Sequence, residues 1–217
     1  MSEFHVTSVN IGRAQMIQGA GKSGTTGIYK RPVDGPVYVG REGFSGDAIC
    51  DAENHGGVDQ AVYVFGAPDY AWWSQELGQD LGPGTFGENL TISNLESALF
   101  SIGDRLHIGE VILEVTAPRI PCGTLAVRMG DPMFVKRFRF AERPGLYCRV
   151  IREGYVQSGD GVIYEPFSGK TITALEMFRA FYEKRLDEAP LRRHLAAPIA
   201  IRDRVDKEKQ LAELEQQ

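Results

Sequence analysis

The sequence predicts a mainly β chain, a barrel or sandwich with a few helices, followed by a small helical tail. Three observations carry this. All 25 glycines lie in residues 1–169 and none in 170–217. Glycine is costly inside helices and useful in turns, so its disappearance marks a change of architecture. Short runs rich in Val, Ile and aromatics recur through the first 165 residues, bounded by Gly, Asp and Pro. Thr173-Ala-Leu-Glu176 then has the spacing of a capping box, with Thr173 as N-cap and Glu176 reaching back.

The predicted strands are His5 to Ile11, Val33 to Val39, Ala61 to Phe65, Arg105 to Ile108, Val111 to Val115 and Tyr147 to Ile151. Gly103-Asp104 and Gly109-Glu110 punctuate a meander, and strands this frequent favour a barrel or sandwich. From Pro68 to Leu77, Tyr70, Trp73 and Leu77 fall on one helical face. A second helix is expected around Leu125 to Phe138. In the tail, Leu175, Phe178, Tyr182 and Leu186 form an apolar stripe, and breaks at Pro190 and Pro198 give about three helices. The last, Ile201 to Leu214, is highly charged. The chain shows no internal repeat.

At 217 residues the chain can bury a core without disulfide or metal staples. Its 42% apolar and 24% charged content excludes a wholly disordered chain. Net charge is 24 − 29 = −5, which gives no electrostatic case for nucleic-acid or anionic-membrane binding. The longest uncharged apolar run, around residues 195–201, is far short of the ~20 needed to span a bilayer. The first ten residues lack a secretory signal pattern. Cys50, Cys122 and Cys148 are an odd count, far apart, which reads as free thiols in a reducing, cytoplasmic setting.

Five segments carry candidate chemistry. Gly19-Ala-Gly21-Lys22-Ser23 invites a phosphate-loop reading, but Met16 stands where that motif needs glycine, so a polar hairpin is the simpler account. Gly46 to Asp59 contains Asp, His and Cys without zinc spacing. Its His55-Gly56-Gly57 lets the backbone turn sharply and approach a ligand, or else forms a loop whose histidine caps a turn. Gly87-Glu88-Asn89, running into a strand, offers a carboxylate and an amide to a polar ligand, or forms a plain turn. In Ala117-Pro-Arg119-Ile-Pro121-Cys122-Gly123, two prolines stiffen the positions of Arg119 and Cys122. A helix start and a nearby arginine favour a thiolate, which can attack an electrophile or bind a soft metal. A small buried thiol is the bland alternative. Cys148 alternates with its strand neighbours and reads as core, and Cys50 lacks a comparable setting. Lys30-Arg31 before a proline could hold an anion, although a solvated strand end is the simpler reading of that pair alone.

In order, GIYKRPVDGPVYV, GDAICDAENHGGVDQAVYVF, GTFGENLT, IGDRLHIGEVILEVTAPRIPC, GLYCRV and GYVQSGD resemble the MOSC domain, named after the C-terminal domain of molybdenum cofactor sulfurase. More narrowly, the chain is similar to the bacterial YiiM-like proteins, which append a small three-helix domain. The resemblance covers about residues 5–165, each motif being weak alone and the ordered series strong. It implies a MOSC-type β-barrel over residues 1–165 and a three-helix domain over 166–217. It also implies binding of molybdenum cofactor, a pterin (molybdopterin) dithiolene bearing a phosphate. Cys122 would be the thiolate on molybdenum. Lys30 and Arg31 would face the anionic tail, Asn89 in the Gly87-Glu88-Asn89 segment would bond the pterin, and Arg119 would lie nearby. His55 and Gly56 would line the pocket or the substrate entrance.

The implied activity is reductive dehydroxylation of N-hydroxylated compounds such as hydroxylaminopurines, with the cofactor carrying the chemistry. No flavin or Fe–S pattern is visible in the sequence, so a separate flavoprotein electron donor is implied. The chain departs from the family pattern at Thr124, where a lysine is usual, and at Asp69 and Ala48, where histidine and glycine are frequent. A rival reading has Cys122 carry a persulfide as a sulfur-carrier or cofactor-handling module. A third is an interaction module without cofactor. The tail is expected to support the barrel, form a homodimer or dock the donor.

Overall fold

The computed structural model describes residues 4–19, 24–51 and 56–216. Seven strands close into a barrel: β1 (Phe4–Ile11), β2 (Val62–Gly66), β3 (Leu90–Ile92), β4 (Arg105–Ile108), β5 (Val111–Pro118), β6 (Leu146–Arg152) and β7 (Gly161–Glu165). Around the barrel the order is β1-β7-β4-β5-β6-β2-β3 and back to β1. Closure comes from β1, which pairs with β7 at Phe4↔Val162 and with β3 at Val9↔Leu90. Every neighbouring pair is antiparallel except β2–β3, which is parallel with Val64 opposite Leu90. A parallel pair needs a long crossover, and α1 (Ala67–Leu77) supplies its first part.

All residues of β2 and β3 are buried. Strands covered on both faces lose the polar alternation of a one-sided sheet. Over one face pack α1 and, through Phe86, which stacks on Phe65 of β2, α3 (Phe134–Ala141), with α2 (Gly123–Met129) set against α3. Trp73 of α1 lies 5.0 Å from the Phe134 ring and 5.9 Å from that of Phe138. Phe138 in turn meets Phe178 at 6.4 Å, on the first tail helix, α4 (Ala174–Ala180). One apolar core therefore runs from the barrel into the tail. The tail continues with α5 (Glu188–Ala196) and α6 (Ile201–Glu215). It is also tied to the barrel by polar contacts, Ile201 N–H donating to Asp59 at 2.7 Å and Arg149 donating to the Pro198 carbonyl at 3.1 Å.

Several local expectations change. The predicted strand from Val33 is interrupted at Asp34-Gly35-Pro36, where Gly35 has φ 76°. Only Val37–Gly40 is extended, in a small three-stranded sheet with Gly43–Phe44 and Gly154–Val156. The helix expected around Leu125 to Phe138 is two, because Gly130 caps α2 with φ 64° and Asp131-Pro132 follows. Pro190 does not break the tail. It sits in the first turn of α5, where its missing N–H costs nothing. Thr173 accepts the Glu176 N–H at 3.0 Å as expected, but the Glu176 carboxylate pairs with Arg193 at 2.8 Å. Tyr182 and Leu186 lie beyond the end of α4, whose buried positions are Ala174, Met177 and Phe178. Among the described residues, no helix is long and apolar enough to cross a membrane.

Candidate functional site

The site grows from the end of β5. Residues Leu113 to Arg119 are continuously buried, and Pro118 and Pro121 fix the exit path that ends at Cys122. Cys122 is the N-cap residue of α2, extended at φ −128°, with no cap bond from its sulfur. It is half-buried and not in a disulfide.

Cys122 borders two adjoining spaces. One is a narrow cavity of about 100 Å³ against the barrel, whose walls include Lys30, Asp47, Cys50, Tyr63, Asn89 and Arg119. The other is a groove of about 920 Å³ between the barrel and the tail. Asp51, Gln60, Thr124 and Tyr147 share the dividing wall with Cys122.

The cavity is held by one carboxylate. Asp47 accepts from the Gly12 N–H at 2.7 Å, from Asn89 Nδ2 at 2.9 Å and from the Lys30 ammonium, a bonded ion pair buried on both sides. Burial lowers the Lys30 pKa and Asp47 opposes it. Asn89 Oδ1 accepts the Tyr63 N–H at 3.1 Å, so its amide is locked at both ends. Arg119 donates to the Phe86 carbonyl and lies 5.0 Å from the centre of the Tyr63 ring, a cation–π contact. Its guanidinium stays protonated although buried, as arginine does in proteins. Burial raises the Tyr63 and Tyr147 hydroxyls, so both stay protonated, and Tyr63 donates its O–H to the Pro144 carbonyl at 2.9 Å.

The sequence candidates divide. Lys30, Asn89, Arg119 and Cys122 converge on the cavity. Arg31 does not. It is exposed on Arg31–Pro32, a short strand beside β1, because consecutive strand residues point to opposite faces and Lys30 takes the inner one. Glu88 is also away from the cavity wall and fully buried. Its Oε1 accepts from Tyr70 at 2.7 Å, Gly84 N–H at 2.6 Å and Thr91 at 2.8 Å, so it braces α1 against β3. Burial raises the Glu88 pKa, which those bonds oppose. Gly56 is buried, and Gly57 at φ 88° starts the turn that delivers Gln60 to the shared wall. His55 lies outside the described residues, as do Lys22 and Ser23.

Asp47, Cys50, Gln60, Tyr63 and Tyr147 are site residues that sequence reasoning did not select. Asp47 and Cys50 stand in a segment already singled out, but nothing in their spacing reveals that the loop folds over Lys30. Cys148 is core as expected, with burial raising its thiol pKa. Of the three departures, Ala48 and Thr124 border the cavity. Asp69 is buried in a separate network with Ser97 and Arg143.

The family model described as MOSC domain matches residues 51–163, just over half of the chain. The chain belongs to the MOSC family. Within it, an uncharacterised Bacillus subtilis protein, YflK, is 39% identical over 156 residues, 72% of this chain and 71% of YflK. A protein of Gibberella moniliformis named reductase is 34% identical over 142 residues, 64% of this chain but only 25% of that protein. The crystal structure of YiiM from Geobacillus stearothermophilus superposes with a TM-score of 0.79 at 25% identity, covering 96% of this chain and 99% of that one. This chain is thus a YiiM-like MOSC protein, with the family's barrel and helices.

Proposed function

We propose that this protein is a molybdenum cofactor-dependent reductase of N-hydroxylated compounds, with Cys122 as the protein ligand to molybdenum. The carrying observation is that Cys122 borders both spaces at once, so one sulfur faces a polar cavity on one side and a wide groove on the other. Membership of the MOSC family supports the cofactor, and the relative named reductase supports the reaction class.

The donor set fits such a group. A thiol is a soft ligand suited to molybdenum. Arg119 and Lys30 bring two buried cations to the cavity for an anionic tail. Gln60 offers a buried Oε1 with no partner among the described residues, an acceptor for a pterin N–H. When bound, the cofactor would supply two-electron transfer and uptake of the N–O oxygen. The overall change is R–NH–OH plus two electrons and two protons to R–NH2 plus water, with electrons from a separate flavoprotein donor. The chain's own residues bind, orient and shield. Asp47 keeps Lys30 and Asn89 in place, and Tyr147 holds its proton on the wall shared by cavity and groove.

Molybdenum and pterin content, measured on protein made in a host that synthesises the cofactor, tests this reading. Near-stoichiometric metal and pterin are expected in the wild type, with molybdenum lowered in Cys122→Ser and donor-dependent reduction of 6-hydroxylaminopurine lost. Wild type with neither metal nor pterin, or Cys122→Ala with full activity, overturns it.

A further inference from the structure

The narrow cavity beside Cys122 has a second thiol in its wall. Cys50 borders it together with Cys122, both are half-buried, and neither is in a disulfide. The third cysteine does not join them. Cys148 is fully buried in β6 opposite Val115 and borders neither the cavity nor the groove. Cys50 and Cys122 are far apart in the sequence, so their meeting is a product of the fold.

The loop that carries Cys50 is seated by its first residues. Asp47 accepts from Gly12, Asn89 and Lys30, and the Ala48 N–H donates to the Gly12 carbonyl at 2.9 Å. The Ala48 carbonyl oxygen packs onto Gly27, where a Cβ would lie only 1.9 Å away. From that seat the chain runs along the cavity through Ile49, Cys50 and Asp51, with no strand or helix over 47–51. Asp51 reaches the wall that divides cavity from groove, and Cys122 stands in the same wall. Cys50 is one residue from Asp51, a step of about 3.8 Å between Cα atoms. A disulfide needs Cα atoms about 4.4–6.8 Å apart with converging side chains. Adjustment within 49–51 brings Cys50 to Cys122 while the Lys30–Asp47 pair stays in place.

We propose that Cys50 is a modification site, the resolving thiol of Cys122, and that hydrogen peroxide joins the two as a disulfide in the cofactor-free protein. In the first step the peroxide O–O bond breaks, an S–O bond forms on one thiol, and one water leaves. The other thiol then attacks that sulfur, an S–S bond forms, the S–O bond breaks, and a second water leaves. Two thiols thus give two electrons and two protons to one peroxide. A dithiol reductant reverses the change by exchange. Accessible thiols poised next to a resolving cysteine are the ones oxidised reversibly, whereas a sulfenic acid without such a partner goes on to sulfinic acid and is lost. Cys50 therefore protects the sulfur that borders both spaces. The thiol pair stands on the cavity alone; its consequence rests on the molybdenum reading and deepens it. A closed disulfide removes the thiol that would hold the metal, so cofactor loading requires the reduced pair.

Peptide mapping by mass spectrometry tests this on the full-length protein, made without cofactor and treated with a few equivalents of hydrogen peroxide. The expected product joins the Cys50 and Cys122 peptides within one chain. Titratable thiols in the unfolded product should fall from three to one, and dithiothreitol should restore all three. Cys50→Ser and Cys50→Ala, each in folded protein, should instead accumulate Cys122 sulfinic acid at the same dose. Pterin uptake by the oxidised wild type should fall about ten-fold and return on reduction. Thiols that stay at three, Cys122 sulfinic acid without linkage in the wild type, or linkage of Cys122 to Cys148 or between chains overturns the inference. So do identical Cys122 products in wild type and Cys50 variants, or pterin uptake that oxidation leaves unchanged. Failure of the molybdenum reading appears separately, as a protein that closes and reopens the disulfide yet takes up no pterin when reduced.

Discussion

Replacing Asp47 by alanine isolates what holds the cavity together. The carboxylate accepts from the Gly12 N–H, Asn89 Nδ2 and the buried Lys30 ammonium. Removing it strands Lys30 as an uncompensated buried charge, a loss of about 3–5 kcal/mol. For a domain of this size each kcal/mol shifts Tm by roughly 2–4 °C, so a fall of about 6–20 °C is expected. Lys30 can relieve part of this by losing its proton, since burial already lowers its pKa. Adding Lys30→Met removes the stranded charge. The double variant should recover about half the loss, leaving the two unpaired N–H groups at about 1–3 kcal/mol. Urea unfolding of the wild type, both single variants and the double variant gives the coupling energy, expected at about 2 kcal/mol or more. Additive single variants, or an Asp47→Ala loss under about 1 kcal/mol, would refute the view that this ion pair organises the cavity.

Three further outcomes follow from particular contacts. Burial, with Lys207 and Arg193, pushes the His194 pKa down to about 4 from 6.5. The unfolded chain therefore takes up a proton through a range where the folded one does not, and stability falls as pH drops from about 6.5 to about 4. The loss is on the order of 2 kcal/mol after allowing for solvent screening. Urea unfolding at pH 7 and pH 4.5 should show it in the wild type and lose it in His194→Leu; equal pH dependence in the two proteins counts against the assignment. Gly66→Ala would drive a Cβ into the Leu95 carbonyl oxygen where β2 passes into α1, so a loss of about 3 kcal/mol is expected in thermal melts, and a neutral result would contradict that packing. Thr173→Ala removes the one side-chain cap of α4 and should cost about 1 kcal/mol, read from the same melts, with Thr173→Ser close to wild type.

The barrel was legible because its strands announce themselves. Phe4–Ile11, Arg105–Ile108 and Leu146–Arg152 are β-branched and aromatic runs with clear boundaries. Gly154–Val156 and Gly161–Glu165 were not, since both are short and partly exposed, and it is their pairing partners that make them strands. Helix breaks followed the same logic. The helix from Leu125 ends at a glycine that periodicity ignores, while Pro190 proved compatible with a first turn. At the site, the stiff Arg119-to-Cys122 segment carried its own signal, because two prolines fix its direction. Asp47 carried none, because its importance arises from burial opposite Lys30, 17 positions away. Arg31 shows the reverse, an attractive cation that strand alternation turns outward.

The pairing of β1 with β7 has a consequence for synthesis. Phe4 finds its partner Val162 only after some 160 residues have been made. At roughly 5–20 residues per second, β1 leaves one edge unpaired for on the order of ten to thirty seconds. β4 waits for the same strand, pairing with it at Ile108↔Val162. Two sheet edges are thus capped by the arrival of a single five-residue strand. A chain stalled or truncated before Gly161 exposes both edges at once, and open edges invite pairing between chains. Aggregation of nascent chains is the expected fate of such fragments.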